Sequence, residues 1–87
     1  IEVETTNMEE VKQAIDAGAD IIMLDNMTTE MMAEAVRFIA KRAKTEASGN
    51  MSLSRIREVA ATGVDFISVG SLTHSVKALD ISQRIID

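Results

Sequence analysis

The chain has 87 residues, a formal net charge of −5, no cysteine, no proline, one histidine and two aromatic residues, Phe38 and Phe66. That length holds one compact unit at most, since a complete (β/α)₈ barrel takes roughly 250 residues, and the lack of cysteine excludes disulfides and thiolate metal ligands. An acidic chain almost without stacking rings argues against a nucleic-acid surface, no stretch nears the roughly 18 apolar residues of a membrane helix, and a cytoplasmic setting is the default expectation.

Ile1-Glu2-Val3-Glu4 alternates apolar and acidic, which predicts a strand with Ile1 and Val3 on one face and Glu2 and Glu4 on the other. A start inside a strand pattern, without the basic and apolar regions of a signal peptide, suggests a truncated chain. Asn7 and Glu10 read as an N-cap with a capping-box-like partner, and Met8, Val11 and Ile15 recur at helical spacing until Gly18. Ile21 to Leu24 is a continuous apolar run, expected of a strand buried on both faces. Thr28 or Thr29 can cap a second helix with Met32, Ala35, Val36 and Ile39 as its inner stripe and Lys41, Arg42 and Lys44 at its C-terminal end.

Thr45 to Ala47 is a short strand candidate that runs into Ser48-Gly49-Asn50. Ser52 then opens a helix with Leu53, Ile56 and Val59 on one side, closed by Gly63. Val64 to Val69 is the fourth strand, Gly70-Ser71 the fourth turn, and Val76 to Ile86 a last helix. The fold class is therefore α/β: four consecutive βα units with parallel strands, half of a TIM-like barrel. Gly18-Ala19-Asp20-Ile21-Ile22 is echoed at Gly63-Val64-Asp65-Phe66-Ile67, an offset of two βα units, as in a barrel of repeated modules. Four such units would leave one sheet face and both sheet edges open, so the chain is expected to need a partner, either the rest of its own polypeptide or a second copy.

Parallel strands all end at one edge of the sheet, so the turns Glu4-Thr5-Thr6-Asn7, Asp25-Asn26, Ser48-Gly49-Asn50 and Gly70-Ser71-Leu72-Thr73-His74 converge there. Glu4 and Asp25 stand at corresponding strand ends one βα unit apart. Such a pair can share a hard cation such as Mg²⁺, hold sugar hydroxyls or stabilise a developing positive charge; equally, either can be a helix cap or a solvated rim charge. Glu2 lies a pleat deeper, and Glu46 shares the strand face of Ser48. The Ser48-Gly49 and Gly70-to-His74 turns suit phosphate, because glycine admits the anion to main-chain N–H groups and the following helix adds its positive end. Each is also an ordinary turn, and His74 is as readily a cap as a phosphate donor. Met23, Met27, Met31 and Met32 read as adaptable packing. Ser48 and His74 lie on separate strands without a Gly-x-Ser-x-Gly elbow, which argues against a hydrolase triad.

In order and spacing, Ile1-Glu2-Val3-Glu4, Ala17 to Asn26, Glu46-Ala47-Ser48-Gly49-Asn50, Thr62 to Ser75 and Ala78-Leu79-Asp80-Ile81-Ser82 resemble the C-terminal part of quinolinate phosphoribosyltransferase, also called nicotinate-nucleotide pyrophosphorylase (carboxylating). Molybdenum-associated paralogues of the same fold share several of these motifs. The resemblance implies transfer of a phosphoribosyl group from phosphoribosyl pyrophosphate (PRPP) to quinolinate with decarboxylation. The products would be nicotinate mononucleotide, CO₂ and pyrophosphate, in NAD biosynthesis. It implies that Glu4 and Asp25 hold the ribose hydroxyls and Mg²⁺, that Ser48, Gly49, Gly70 and His74 line the phosphate pocket, and that the parent protein is a homodimer or higher homo-oligomer. The family's N-terminal domain and early barrel strands, with the basic residues that grip quinolinate, have no counterpart in these residues. Residues 1–87 are thus expected to be a C-terminal fragment, inactive alone. A non-catalytic phosphate-binding or assembly module, and a related phosphoribosyltransferase with another acceptor, stay open as alternatives.

Overall fold

The computed structural model describes residues 1–69 and 74–80. Along them run β1 (Glu2–Thr5), α1 (Met8–Asp16), β2 (Ile21–Asp25), α2 (Thr29–Ile39), β3 (Lys44–Ser48), α3 (Leu53–Ala60), β4 (Phe66–Val69) and β5 (His74–Lys77). The strands pair in sequence order in one sheet, with β1 to β4 parallel and β5 antiparallel to β4. Strand, turn and helix alternate from β1 to β4, so the chain is an α/β protein.

The register sorts side chains by face. Ile22 pairs with Val3 and Thr45, and Leu24 with Thr5 and Ala47, which in turn aligns with Ile67. All of these except half-buried Val3 are buried, and they meet Val11 and Ala14 of α1, Met32, Ala35 and Ile39 of α2, and Val59 of α3 in a single core. Each large apolar side chain removed from water there contributes about 1.5–3 kcal/mol. Thr5, the buried polar residue of β1, donates its hydroxyl to Met23 O at 2.8 Å and so costs little. On the other face stand Glu2, Glu4, Ile21, Met23, Asp25, Lys44, Glu46, Ser48 and Phe66, mostly half-buried or exposed.

Polar caps fix where the helices begin. Asn7, Thr28 and Ser52 accept from the N–H groups of Glu10, Met31 and Arg55 respectively. Arg42 closes α2 by donating to the carbonyls of Phe38 and Ile39, as a cation at a helix C-terminus should. The internal echo has a physical basis. Gly18 and Gly63 take positive φ, 77° and 95°, and the aspartate two residues on reaches back to the preceding strand. Asp65 accepts from Thr45 N at 2.8 Å and Thr45 Oγ1 at 3.1 Å, and the main chain repeats one bond, Asp65 N–H donating to Thr45 O at 3.1 Å and Asp20 N–H to Ile1 O at 2.9 Å.

Three expectations are corrected. The helix expected from Val76 is helical at residues 78–80, but its start is not: His74–Lys77 is a strand in which Val76 pairs with Ile67 and Ser75 with Ser68; the outer edge of β4 offers unpaired main-chain groups, and an antiparallel neighbour needs only a short connection to reach them. Residues 81–86 of that expected helix lie outside the described residues. Lys44 begins β3 and does not extend the end of α2. Leu53 is 67% exposed, because a spacing of three residues drifts about 60° per step around a helix and carries it off the stripe centred on Ile56 and Val59.

Candidate functional site at the C-terminal strand edge

Thr5, Asp25, Ser48 and Val69 end the four parallel strands at one edge of the sheet, which the turns after β1, β2 and β3 share. Asp25 and Ser48 are register partners on the face away from the helices, and both are half-buried. Ser48 Oγ donates to Asp25 Oδ1 at 2.9 Å. A bond from a hydroxyl to a charged carboxylate is among the stronger hydrogen bonds a protein makes.

The turns themselves are joined as closely as the side chains. Asn26 takes φ 54°, a left-handed conformation that asparagine tolerates better than most residues, and its N–H donates to Ser48 O at 3.0 Å. Gly49 takes φ 125°, which side-chain-bearing residues rarely adopt, and passes so near that a Cβ there would lie 3.3 Å from both Cα and N of Asn26, a tight contact. From the first turn of α3 the half-buried Arg55 donates its guanidinium to Met27 O. Asn26 and Arg55 thus belong to the edge, although sequence reasoning gave neither a role. An asparagine directly after the strand-end aspartate was the available signal for the first. Nothing in the sequence marked Arg55, whose contact spans 28 residues.

Glu4 stands differently from the expectation of corresponding strand ends. It pairs with Met23, one pleat below Asp25, on the exposed side of the sheet margin, where it borders a groove of about 290 Å³ with Val3, Glu10, Gln13, Ala14 and Ala17. Glu46 is buried, aligned between Met23 and Phe66. His74 pairs through its main chain with Val69, at the same edge as the other turns. Gly70 lies outside the described residues. A second concavity, about 390 Å³, is lined by Asp20, Lys41, Arg42, Ala43, Lys44 and Asp65 at the opposite ends of the strands. Among the described residues no three His, Cys, Asp or Glu side chains cluster closely enough to hold a metal ion by themselves, and no helix is long and apolar enough to cross a membrane.

The family described as quinolinate phosphoribosyl transferase, C-terminal domain, matches residues 1–84. The chain belongs to this family. It is 47% identical over 89 residues to a probable nicotinate-nucleotide pyrophosphorylase [carboxylating] of Synechocystis, covering 99% of the chain and 30% of that protein. It is 45% identical over 100 residues to quinolinate phosphoribosyltransferase [decarboxylating] 2b, mitochondrial, of Nicotiana tabacum, covering 98% and 28%. The solved structure of the nicotinate-nucleotide pyrophosphorylase from Francisella tularensis superposes with a TM-score of 0.78 at 46% identity, covering 88% of the chain and 28% of that structure. The chain spans under a third of the length of each of these relatives.

Proposed function

We propose that these residues are the C-terminal part of a quinolinate phosphoribosyltransferase and carry the ribose–metal and phosphate side of its active site. In that reaction the pyridine nitrogen of quinolinate bonds to C1′ of PRPP as pyrophosphate leaves, and a proton replaces the carboxylate lost as CO₂. The product is nicotinate mononucleotide, and the setting NAD biosynthesis. The observation that carries this reading is the Asp25–Ser48 pair, bonded at 2.9 Å at the edge where the parallel strands end, within a family match that spans residues 1–84.

The reaction develops positive charge at C1′, and a fixed carboxylate at the ribose stabilises that charge more than it stabilises the substrate. Asp25 supplies it at the edge, and Glu4, one pleat below on the neighbouring strand, holds sugar hydroxyls. Asp25, Glu4 and Ser48 present oxygen atoms alone, the donor set that suits Mg²⁺. With too few protein carboxylates for a closed cage, the ion would complete its shell with water and substrate oxygens, as Mg²⁺ commonly does. Bound there, it would neutralise the pyrophosphate leaving group. The phosphate end of PRPP falls to the later turns, Ser48-Gly49 and Gly70 to His74, through glycine-opened main-chain N–H groups. A homodimer or higher homo-oligomer is part of the same reading, as is a cytoplasmic setting, which the cysteine-free composition supports. The tobacco relative is named mitochondrial.

The test is quinolinate-dependent formation of nicotinate mononucleotide by the full-length protein. Asp25→Ala is expected to lower kcat/KM by about 100-fold or more, the scale of losing a preorganised electrostatic group, while circular dichroism stays unchanged. Full activity in that variant would remove the ribose–metal role from Asp25, no product from the native protein would leave only a phosphate-binding or assembly role, and turnover with another pyridine acceptor in place of quinolinate would move the enzyme to a neighbouring specificity.

A further inference from the structure

We propose that the side chain of Ser48 is a positioning residue for Asp25 and not a phosphate donor, an inference that rests on Asp25 serving the sugar and metal. A serine hydroxyl owns one proton, and an ionised carboxylate offers only acceptors. The 2.9 Å contact therefore commits the Ser48 proton to Asp25 Oδ1. What Ser48 Oγ turns towards anything else is lone pairs, which repel a phosphate oxygen and suit a cation or the O–H of a sugar.

The backbone holds this arrangement in place. Asp25 and Ser48 face each other in register across β2 and β3, Asn26 N–H donates to Ser48 O at 3.0 Å, and Gly49, at φ 125°, runs so close to Asn26 that a Cβ would sit 3.3 Å from its backbone. For Ser48 to serve a phosphate it would have to surrender the carboxylate while the two turns stayed locked. Pinning Oδ1 also fixes the rotation of the Asp25 carboxylate. Oδ2 then meets its ligand without first paying for that order. The two hydrophilic turns thus divide their work at the Ser48 residue itself: its hydroxyl belongs to the acidic side, and the N–H groups that follow in the turn to the phosphate side.

A double-mutant cycle in the full-length protein separates the two roles, with kcat read from nicotinate mononucleotide formation and a second readout from the inhibition constant of inorganic phosphate. If Ser48 works through Asp25, Ser48→Ala lowers kcat about 10-fold or more in the native background, the usual cost of losing a group that orients a ligand-holding side chain. In an Asp25→Asn background the same change has less than about a 2-fold effect, since coupled residues are not additive. The phosphate inhibition constant stays within about 2-fold, and Ser48→Thr, which keeps the hydroxyl, restores most of kcat. An equal loss in both backgrounds, or a rise in the phosphate inhibition constant with kcat unchanged, overturns the inference and returns the hydroxyl to the phosphate. Native activity in Asp25→Asn by itself is a different result, because it removes the sugar–metal reading underneath. Should Ser48→Ala fail to fold, Ser48→Cys keeps the size with a far weaker donor and is read by the same outcomes.

Discussion

Glu10 accepts from Thr6 N–H at 2.6 Å and from the Thr6 hydroxyl at 2.8 Å, while its own N–H donates to Asn7 Oδ1 at 2.9 Å. This is a capping box displaced by one residue, with the reciprocal bond made to Thr6 and not to Asn7. Because the ionised carboxylate is the form that accepts both bonds, the Thr6 N–H first and its hydroxyl second hold the Glu10 carboxyl below its ordinary value. The folded chain then takes up this proton less readily than the unfolded chain. The stabilisation is present in full above the unfolded glutamate pKa, about 4.3, and is lost as pH falls through the lower folded value. Glu10→Gln is thus expected to lower the thermal midpoint at pH 7, with the gap between native and variant closing as the pH is brought from 5 towards 3. A gap that holds constant over that range would show that the charge of Glu10 takes no part in starting α1.

Helix α3 separates what periodicity can and cannot see. Leu53, Ile56 and Val59 were expected on one side, yet the three-residue spacing drifts, and Val59 is fully buried while Leu53 is 67% exposed. Val59→Ala is therefore expected to cost about 2 kcal/mol in chemical denaturation, against less than about 0.5 kcal/mol for Leu53→Ala; equal costs would return Leu53 to the core. The elements that local sequence determines were legible: the caps Asn7, Thr28 and Ser52, the apolar run of β2, and the turns that follow β1, β2 and β3 all lie where their residue types put them. Strand β5 was not legible, because what makes His74–Lys77 extended is the open edge of β4 and not a preference of its own residues. The site divides in the same way. Asp25 and Ser48 could be named from their strand ends, but that one donates to the other depends on the β2–β3 register, and the approach of Arg55 to Met27 O depends on tertiary packing.

Among the described residues, helices cover one face of the sheet only. Helices cover the side of Ile22, Leu24, Ala47 and Ile67, and the other side carries a row in which Glu4, Met23, Glu46, Phe66 and Lys77 stand in register across all five strands. In a closed βα barrel the face away from the helices is the interior, filled by side chains from every strand. Here Met23 and Phe66 are half-buried there, flanking Glu46. Half-buried apolar side chains set among charges on the face away from the helices, beside the edge of β1 that no described strand pairs, are what folded chains normally cover further. These 87 residues, expressed alone, are therefore expected to elute above monomer size in gel filtration. Met23→Lys, which puts a charge in the middle of the row, should shift that elution towards the monomer. Neither form should turn over quinolinate, since an uncovered face leaves the acidic edge without the rest of an active site. A monodisperse monomer that unfolds cooperatively would mean that the row is stable in water as it stands, and the need for further barrel strands or a second copy would then have to come from catalysis and not from folding.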